Sequence, residues 1–290
     1  LGPLCASDVR GDVRDLDAVR SAFQAAHPDV VLHLAAESLV RRSHRQPVET
    51  FATNVMGTVH VLEAARLASF DGPLLAVTTD KVYANDGRTE PYRVHDRLGG
   101  TEPYSASTTA SEGVAATYRS ADGLRVATAR AGNGIGGGDG CEARLLPDAV
   151  RAWRAGRPAE IRNPGATRPW QHVLEPLLAY LDVIVAMRSN HEVPDATNIG
   201  PAEDAWPVRA VMDEAVRHWP GATWTTRPQP HAPKEAARLD LDVSEPLARL
   251  PWRPRWDTAE AVRRTIRWEH AVAEGRDAAM DIHATLTGGA

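Results

Sequence analysis

Hydrophobic and polar positions follow two different periods along the first half of the chain. Leu16, Val19 and Phe23 recur at helical spacing within 15–26, and helices are also predicted at 56–67 and at 103–118, where small residues dominate. Short, mainly apolar runs at 29–34, 73–79 and 124–130 lie between them and predict buried strands. This alternation predicts an α/β fold with a Rossmann-like, doubly wound parallel sheet that binds ligands at the carboxyl ends of its strands.

The second half of the chain departs from this alternation. It contains Pro-rich and Trp-rich segments, with helices predicted at 145–155, 173–187, 208–218 and 258–270 and turns at 162–165 and 219–221. We therefore interpret 1–140 as a Rossmann-like dinucleotide-binding domain and 141–290 mainly as a smaller C-terminal substrate-binding lobe.

Composition and charge exclude several classes of function. The 290 residues are 43% hydrophobic, which is enough for a sizeable core. A net charge of -5 gives no electrostatic reason to expect nucleic acid as a partner, and no apolar run approaches the roughly 20 residues of a membrane helix. No secretory signal is evident, so we expect a cytoplasmic protein. The isolated Cys5 and Cys141 have no metal-ligand spacing, and no metal site is predicted.

A tyrosine stands at the predicted start of the helix at 103–118. Pro103 suits a first helical turn, which places Tyr104 near the helix N-terminus. The positive end of the helix dipole and the unpaired N–H groups there favour a phenolate. From this segment alone, Tyr104 could equally be a half-buried tyrosine at the start of a surface helix.

Seven stretches occur in the order found in a known family. They are Gly-Asp-Val-Arg-Asp at 11–15, His-Leu-Ala-Ala at 33–36, Asn-Val-Met-Gly-Thr at 54–58, Thr-Thr-Asp-Lys at 78–81, Tyr-Ser-Ala-Ser at 104–107, Gly-Gly-Gly-Asp at 136–139 and Arg-Pro-Trp-Gln-His-Val at 168–173. Together they resemble the nucleotide-sugar 4,6-dehydratases of the NAD-dependent epimerase/dehydratase family, among the extended short-chain dehydrogenase/reductases. The branch that acts on CDP-glucose is the most similar. The resemblance runs from about Gly11 to about Trp268.

The resemblance implies the loss of water from a hexose by a redox route. In the family, the tyrosine that matches Tyr104 takes the proton of the C4 hydroxyl while hydride passes from C4 to the nicotinamide, water is lost across C5 and C6, and the hydride returns to C6. Thr79 matches the hydroxyl that hydrogen-bonds the C4 oxygen. Asp80 and Lys81 match the acid–base pair of the elimination, and the Asp-Lys form suggests the CDP-glucose branch. From the residues alone, this pair could also be a solvated turn.

The resemblance also implies binding residues for NAD and for a nucleotide sugar. Asp12 would bind the adenine, and the other contacts of NAD would come from Ala35, Ala36, Asn54 and Thr108. Substrate binding would involve Asn133, Arg168 and His172. Other interpretations stay open: Asp12 as a turn residue, Asn54 as a helix N-cap, and Arg168 or His172 in a surface salt bridge. Glu235 and Ala236 resemble a late substrate loop, although Lys234 stands where the family has a histidine.

Two departures from the family concern the cofactor. The family's Tyr-x-x-x-Lys motif has Thr108 at the lysine position, where a threonine offers no charge to lower the pKa of Tyr104. The Gly-x-x-Gly-x-x-Gly loop that holds the NAD pyrophosphate is absent from the sequence, and the triglycine at 136–138 follows the wrong strand. Only ten residues precede Gly11, too few for the first βαβ unit. Either that unit lies outside this sequence or the protein has lost this contact, which makes NAD a doubtful cofactor.

Three hypotheses follow. The first is an NAD-dependent nucleotide-sugar dehydratase with an altered Tyr-Lys pair. The second is a non-redox enzyme that uses Tyr104, Asp80 and Lys81 for acid–base chemistry. The third is a non-catalytic partner subunit that binds sugar nucleotides. The family pairs subunits through helices that include the tyrosine helix, so a homodimer is a further expectation.

Overall fold

A computed structural model describes residues 5–189, 193–227 and 236–276. Its helices are α1 (Leu16–Ala26), α2 (Val40–Arg45), α3 (Pro47–Phe51), α4 (Gly57–Leu67), α5 (Pro103–Asp122), α6 (Leu145–Arg154), α7 (Leu174–Arg188), α8 (Val208–Val216), α9 (Ser244–Arg249) and α10 (Thr258–Ala273). Its strands are β1 (Val31–His33), β2 (Leu74–Thr79), β3 (Val126–Ala131), β4 (Asn133–Ile135), β5 (Ala159–Ile161), β6 (Thr167–Arg168), β7 (Trp170–His172), β8 (Ala196–Ile199), β9 (Trp206–Pro207) and β10 (Trp224–Thr226).

The main sheet is parallel, as the sequence predicts. Its strands lie in the order β1-β2-β3-β8, and the three predicted strands agree with β1, β2 and β3 to within two residues at each end. Strand β8 was not predicted, because a four-residue strand with Thr197 and Asn198 at its centre has no clear apolar pattern. Thr79 pairs with Ala131, which pairs with Ile199, so the carboxyl ends of these strands meet along one edge.

Helices cover both faces of this sheet, so the doubly wound fold is confirmed. Leu74 and Ala76 of β2 pack with apolar side chains of α4 and α5 on one face. Leu75, between them in sequence, points to the other face and packs against α7. This alternation is the period of two that a strand imposes on its side chains.

The C-terminal part of the chain contains a second hydrophobic core. Helices α6, α8 and α10 pack there with β5 and β7, around buried side chains such as Trp153, Met212 and Ile266. Helix α7 and strand β8 also follow residue 140, yet they pack on the Rossmann-like sheet. The division at residue 140 therefore stays a prediction, and any exact boundary has to account for these two elements.

The long helices of the sequence prediction are confirmed, and the short ones were missed. Helices α1, α4, α5, α6, α7, α8 and α10 correspond to the seven predicted segments, and the predicted turns at 162–165 and 219–221 are present. Helix α5 extends beyond its predicted end to Asp122, and Gly123 ends it with φ at 70°. Helices α2, α3 and α9 have five or six residues, too few for a periodic pattern. Among the described helices, none combines the length and apolarity needed to span a membrane.

A buried ion pair holds the tyrosine helix to the sheet. Arg130 on β3 donates to both carboxylate oxygens of Glu112 on α5, at 3.0 and 2.8 Å. Thr78 and Thr128 donate to the same carboxylate from neighbouring strands. Since both charged side chains are about 95% buried, removal of either partner leaves the other without compensation.

We expect Glu112→Gln to lower the free energy of unfolding by about 3–5 kcal/mol, because it leaves the Arg130 charge buried and poorly paired. Urea denaturation of the purified chain measures this loss. Glu160→Gln is the matched control, since Glu160 pairs with Arg227 at the surface and should change the free energy by less than about 1 kcal/mol. Equal losses in the two variants would contradict the structural role of the Glu112 pair.

Candidate active site

The N-terminus of α5 is fixed by a capping box. The Glu102 carboxylate accepts hydrogen bonds from the backbone N–H groups of Tyr104 and Ser105, both at 2.8 Å, and the Ser105 hydroxyl accepts from the Glu102 N–H. Pro103 occupies the first turn, as predicted. The sequence analysis missed Glu102, although an acidic residue followed by Pro and then Ser three positions on is a readable start signal. The position of Tyr104 is therefore set by its own helix.

Asn54 joins this helix to the loop that follows β1. It lies in a π-helical turn (Ala52–Met56) between α3 and α4, a type of irregularity common at functional sites. Its side-chain amide donates to the Ser107 hydroxyl at 2.9 Å and to the Glu37 carbonyl, and its Oδ1 accepts from the Glu37 N–H at 2.7 Å. Asn54 is buried and caps no helix, so the N-cap interpretation is wrong.

The end of β2 brings three predicted residues into contact with Tyr104 or with one another. The Tyr104 phenol lies close enough to the Thr79 hydroxyl for that hydroxyl to lower the pKa of the phenol. Thr79 Oγ1 donates to Asp80 Oδ1 at 2.9 Å, and Lys81 Nζ lies 3.3 Å from the same oxygen. Asp80 is only 1% exposed, which contradicts the solvated-turn interpretation for this residue. Its other oxygen, Oδ2, is buried and has no hydrogen-bond partner in the described part of the chain.

The protonation of Tyr104 differs from the sequence-based expectation. Burial raises the pKa of its phenol to about 12, and the nearby carboxylates of Asp80 and Glu102 act in the same direction. The hydrogen bond with Thr79 and the charge of Arg144 lower the pKa less than these effects raise it. These effects favour the neutral phenol, which contradicts the expectation of a stabilised phenolate.

Thr108 occupies the lysine position of the motif and takes a purely local role. It is buried, and its hydroxyl donates to the Tyr104 carbonyl at 2.9 Å, one helical turn back.

Arg144 was not singled out from the sequence, yet its charge lies near enough to lower the pKa of Tyr104. It is held at Ser38 and Asp139, at 3.0 and 3.4 Å, so its charge is partly engaged.

The predicted NAD side of the site lies at the end of β1. Ala35 and Ala36 follow this strand and are exposed. His33 ends it and is buried with Nε2 3.2 Å from the Thr58 hydroxyl, and burial lowers the pKa of its imidazole to about 4. Asp12 is exposed and accepts from the backbone and side chain of Arg14, which lowers the pKa of its carboxyl to about 2. This contact agrees with the turn interpretation of Asp12 and leaves its carboxylate accessible.

The predicted substrate residues follow the sheet into the C-terminal lobe. Asn133 begins β4, which pairs with β7, and Asn133 Oδ1 is buried without a partner in the described residues. Arg168 at the end of β6 and His172 at the end of β7 are both buried, so neither side chain lies at the surface. Burial also lowers the pKa of His172 to about 4. Lys234 and Glu235 lie outside the described residues.

The triglycine packs against the last helix. A Cβ at Gly137 would lie 2.2 Å from the Trp268 ring of α10, and the Gly138 N–H donates to Glu269 at 2.8 Å. The loop therefore approaches α10 closely, in agreement with the expectation that it is no dinucleotide loop.

The chain is similar to solved enzymes that act on nucleotide sugars. A UDP-glucose 4-epimerase of Thermus thermophilus, solved in complex with NAD, is 26% identical, with a TM-score of 0.80 over 90% of this chain and 84% of that one. A dTDP-glucose 4,6-dehydratase of Streptomyces venezuelae with NAD bound has the same fold, with a TM-score of 0.79 over 95% of this chain and 84% of that one at 24% identity. The fold and the Tyr104 helix thus define an epimerase/dehydratase of the short-chain dehydrogenase/reductase superfamily.

Sequence comparisons assign the chain to a narrower family within this superfamily. Residues 7–265 match the family model of the GDP-mannose 4,6-dehydratases, and the chain belongs to this family. The CDP-glucose 4,6-dehydratase of Salmonella typhimurium is 40% identical over 92% of this chain and 77% of the relative. The resemblance inferred from the seven stretches is confirmed, and the chain is nucleotide-sugar 4,6-dehydratase-like.

We expect Tyr104 to stay neutral until well above pH 9, because desolvation and the nearby carboxylates raise the pKa of its phenol and no lysine is paired with it. The difference in tyrosinate absorbance between the wild-type chain and Tyr104→Phe during a pH titration measures this pKa. Thr108→Lys should lower the pKa by roughly 1–3 units, whereas Thr117→Lys, exposed further along the same helix, should leave it unchanged. A wild-type Tyr104 that ionises near pH 7 would refute this account of the site.

The buried His33 should make the protein less stable in mild acid. Its pKa is about 4 in the folded chain against 6.5 when exposed, so between these values the unfolded chain binds more protons and the free energy of unfolding falls as the pH falls. The full contribution of this group is about 3 kcal/mol. Urea denaturation from pH 7 to pH 5 should give a flatter profile for His33→Gln than for the wild type. His44→Gln, which alters an exposed histidine, should keep the wild-type slope.

Proposed function

We propose that the protein is an NAD-dependent nucleotide-sugar 4,6-dehydratase that converts CDP-glucose to CDP-4-keto-6-deoxyglucose. The observation that carries the proposal is the contact series from Tyr104 through Thr79 and Asp80 to Lys81 at the carboxyl end of β2. The 40% identity to a CDP-glucose 4,6-dehydratase supports the choice of CDP-glucose.

Residues before α1, after β1, in the π-helical turn and on α5 would contact NAD. The exposed Asp12 carboxylate would accept from the adenine amino group, and the small, exposed Ala35 and Ala36 leave room beside the strand end. Asn54 would hold the loop that faces the cofactor, and Thr108 lies on the Tyr104 helix. No glycine loop for the pyrophosphate occurs in the described residues. NAD, when bound, would supply an acceptor and then a donor for the hydrogen at C4 of the sugar.

Each side chain of the contact series has a role in the proposed reaction. Thr79 and Tyr104 would hold the C4 oxygen of the sugar through hydrogen bonds. Asp80 would give a proton to the C6 hydroxyl as it leaves as water, and Lys81 would take the C5 proton, since elimination needs one acid and one base. A protonated carboxyl is the required form of Asp80 at that stage.

The nucleotide part of the substrate would bind on the side of the C-terminal lobe. Arg168 suits a diphosphate because its planar guanidinium can donate two parallel hydrogen bonds. Asn133 Oδ1, buried and without a protein donor in the described residues, would accept from the ligand. His172 is neutral near pH 7 and would contact the ligand without adding charge.

The state of Tyr104 also supports a second candidate function, that of a non-redox enzyme. The neutral Tyr104 with Thr108 in the lysine position is suited to acid–base chemistry without redox, in which Tyr104 donates a proton and Asp80 accepts one. A non-catalytic subunit that binds sugar nucleotides is the remaining alternative.

We also propose a homodimer formed through α3 and the tyrosine helix, because Val48 and Phe51 on α3 and the nearby Met56 are exposed apolar residues beside α5. A cytoplasmic location stays a prediction.

Calorimetric titrations with NAD and with CDP-glucose, followed by ultraviolet detection of a 4-keto sugar, test the proposed function. We expect both ligands to bind and the keto product to form. Arg168→Ala should weaken CDP-glucose binding by on the order of 10-fold or more, because the diphosphate loses a charge-assisted contact. Arg227→Ala, a change at an exposed ion pair, is the control. Product formation without added or bound NAD would favour the non-redox enzyme, and binding of CDP-glucose alone would favour the partner subunit.

A further inference from the structure

The Thr79 hydroxyl sets the direction of the hydrogen bonds around it. The Asp80 carboxylate, paired with Lys81, can only accept, so Thr79 gives its single hydroxyl hydrogen to Asp80 Oδ1 at 2.9 Å. Thr79 Oγ1 also accepts from the Lys81 backbone N–H at 3.4 Å, which leaves one lone pair for a further donor. A substrate hydroxyl at this position must donate, and its proton then has a continuous path to Asp80.

Asp80 is placed to receive a proton along this path. Its side chain is 1% exposed, and Oδ2 has no donor within the described residues. A buried carboxylate oxygen without a donor is an unfavourable arrangement, and it leaves Oδ2 as a vacant acceptor for a proton. The nearest cation is Lys81, which contacts only Oδ1 among the contacts described for Asp80.

Tyr104 lacks the surroundings of a base. The threonine at position 108 carries no charge, and its hydroxyl is occupied by the Tyr104 carbonyl. Burial keeps the phenol protonated, with a pKa of about 12. A neutral phenol cannot take the proton of a sugar hydroxyl unless it first releases its own.

We propose that Asp80, reached through the Thr79 hydroxyl, is the group that receives the C4 hydroxyl proton of the sugar in this protein. Tyr104 remains protonated and acts as a hydrogen-bond donor. This inference rests on the proposed function and changes the base of its first step, which the resemblance assigns to the tyrosine.

The step is balanced in atoms and electrons. The O–H and C–H bonds at C4 break as the C4 carbonyl forms, and the sugar is oxidised. The C4 hydrogen leaves with its electron pair to the oxidant, a nicotinamide dinucleotide. The hydroxyl proton goes to the Thr79 oxygen while the Thr79 proton goes to Asp80.

The same proton then serves the elimination. Asp80 becomes the carboxylic acid that the departing C6 hydroxyl needs, and the proton leaves with that hydroxyl as water. Neutral Asp80 also removes the negative charge 3.3 Å from Lys81 Nζ, which makes release of an ammonium proton to solvent easier. Lys81 can take the C5 proton only after this release, so the transfer to Asp80 prepares the acid directly and the base indirectly.

CDP-xylose isolates the first step, because this sugar has no C6 and can be oxidised at C4 but cannot lose water. The measurement is the appearance of reduced nicotinamide after CDP-xylose is mixed with the protein and NAD. We expect Asp80→Asn and Thr79→Val to slow it by on the order of 100-fold or more, and Thr79→Ser to stay near the wild-type rate. Asp148→Asn, an exposed carboxylate on α6, is the control and should not change the rate.

A second change separates the proton path from a structural role of Asp80. Thr108→Lys restores the charge that lets Tyr104 act as base, so the double variant Asp80→Asn/Thr108→Lys should regain at least 10-fold of the lost rate. Tyr104→Phe should abolish this regained activity. Failure of Thr108→Lys to rescue Asp80→Asn, with wild-type folding by circular dichroism, would count against the proposal.

The pKa of Tyr104 in the ligand-free protein tests the proposal without any measurement of activity. Asp80→Asn should lower the pKa of Tyr104 by about one unit in a tyrosinate titration, because the nearby negative charge that raises this pKa is removed. An unchanged pKa overturns the influence of Asp80 on the phenol, which helps to keep Tyr104 protonated in the proposal. An Asp80→Asn variant that oxidises CDP-xylose at the wild-type rate overturns the proton path while leaving the proposed function intact. Wild-type protein that oxidises neither sugar refutes both.

Discussion

The absence of a lysine one helical turn from the half-buried Tyr104 is the constraint on which the chemistry of this site depends. The side chain is held at the start of α5 by the Glu102 cap, beside Asp80 and with Thr108 in the lysine position. In this setting the phenol stays protonated, with a pKa of about 12. The acid–base demands of a dehydration therefore fall on other groups, and the nearest is the Asp80 carboxylate.

The scaffold around Tyr104 is rigid where the chemistry requires it. The Glu112–Arg130 pair fixes the middle of α5 to β3, and Asn54 ties the start of the same helix to the loop after β1. Thr79 is held by the register of β2 with β3. Because these contacts join α5 to β3, β3 to β2 and α5 to the segment after β1, the separation of Tyr104 and Thr79 is determined by the fold.

Sequence reasoning predicted the parallel sheet, its long helices and the set of residues at the strand ends. These features come from periodicity and from short motifs, which can be recognised without knowledge of contacts. It missed β8, whose four residues have no period, and it overlooked Glu102, which precedes Pro103 and Ser105 in a readable helix-start pattern. It also expected a phenolate at Tyr104, because the helix dipole can be deduced from sequence whereas the burial of a phenol beside Asp80 cannot.

The measurement that most directly tests the account is the fate of deuterium placed at C4 of CDP-glucose. The proposed function requires the hydrogen at C4 to leave and to return at C6 of the same sugar. Nuclear magnetic resonance of the product should therefore show deuterium in the C6 methyl group and a keto group at C4. Deuterium that stays at C4, or a CDP-glucose pool that is never consumed in the presence of NAD, would contradict the account.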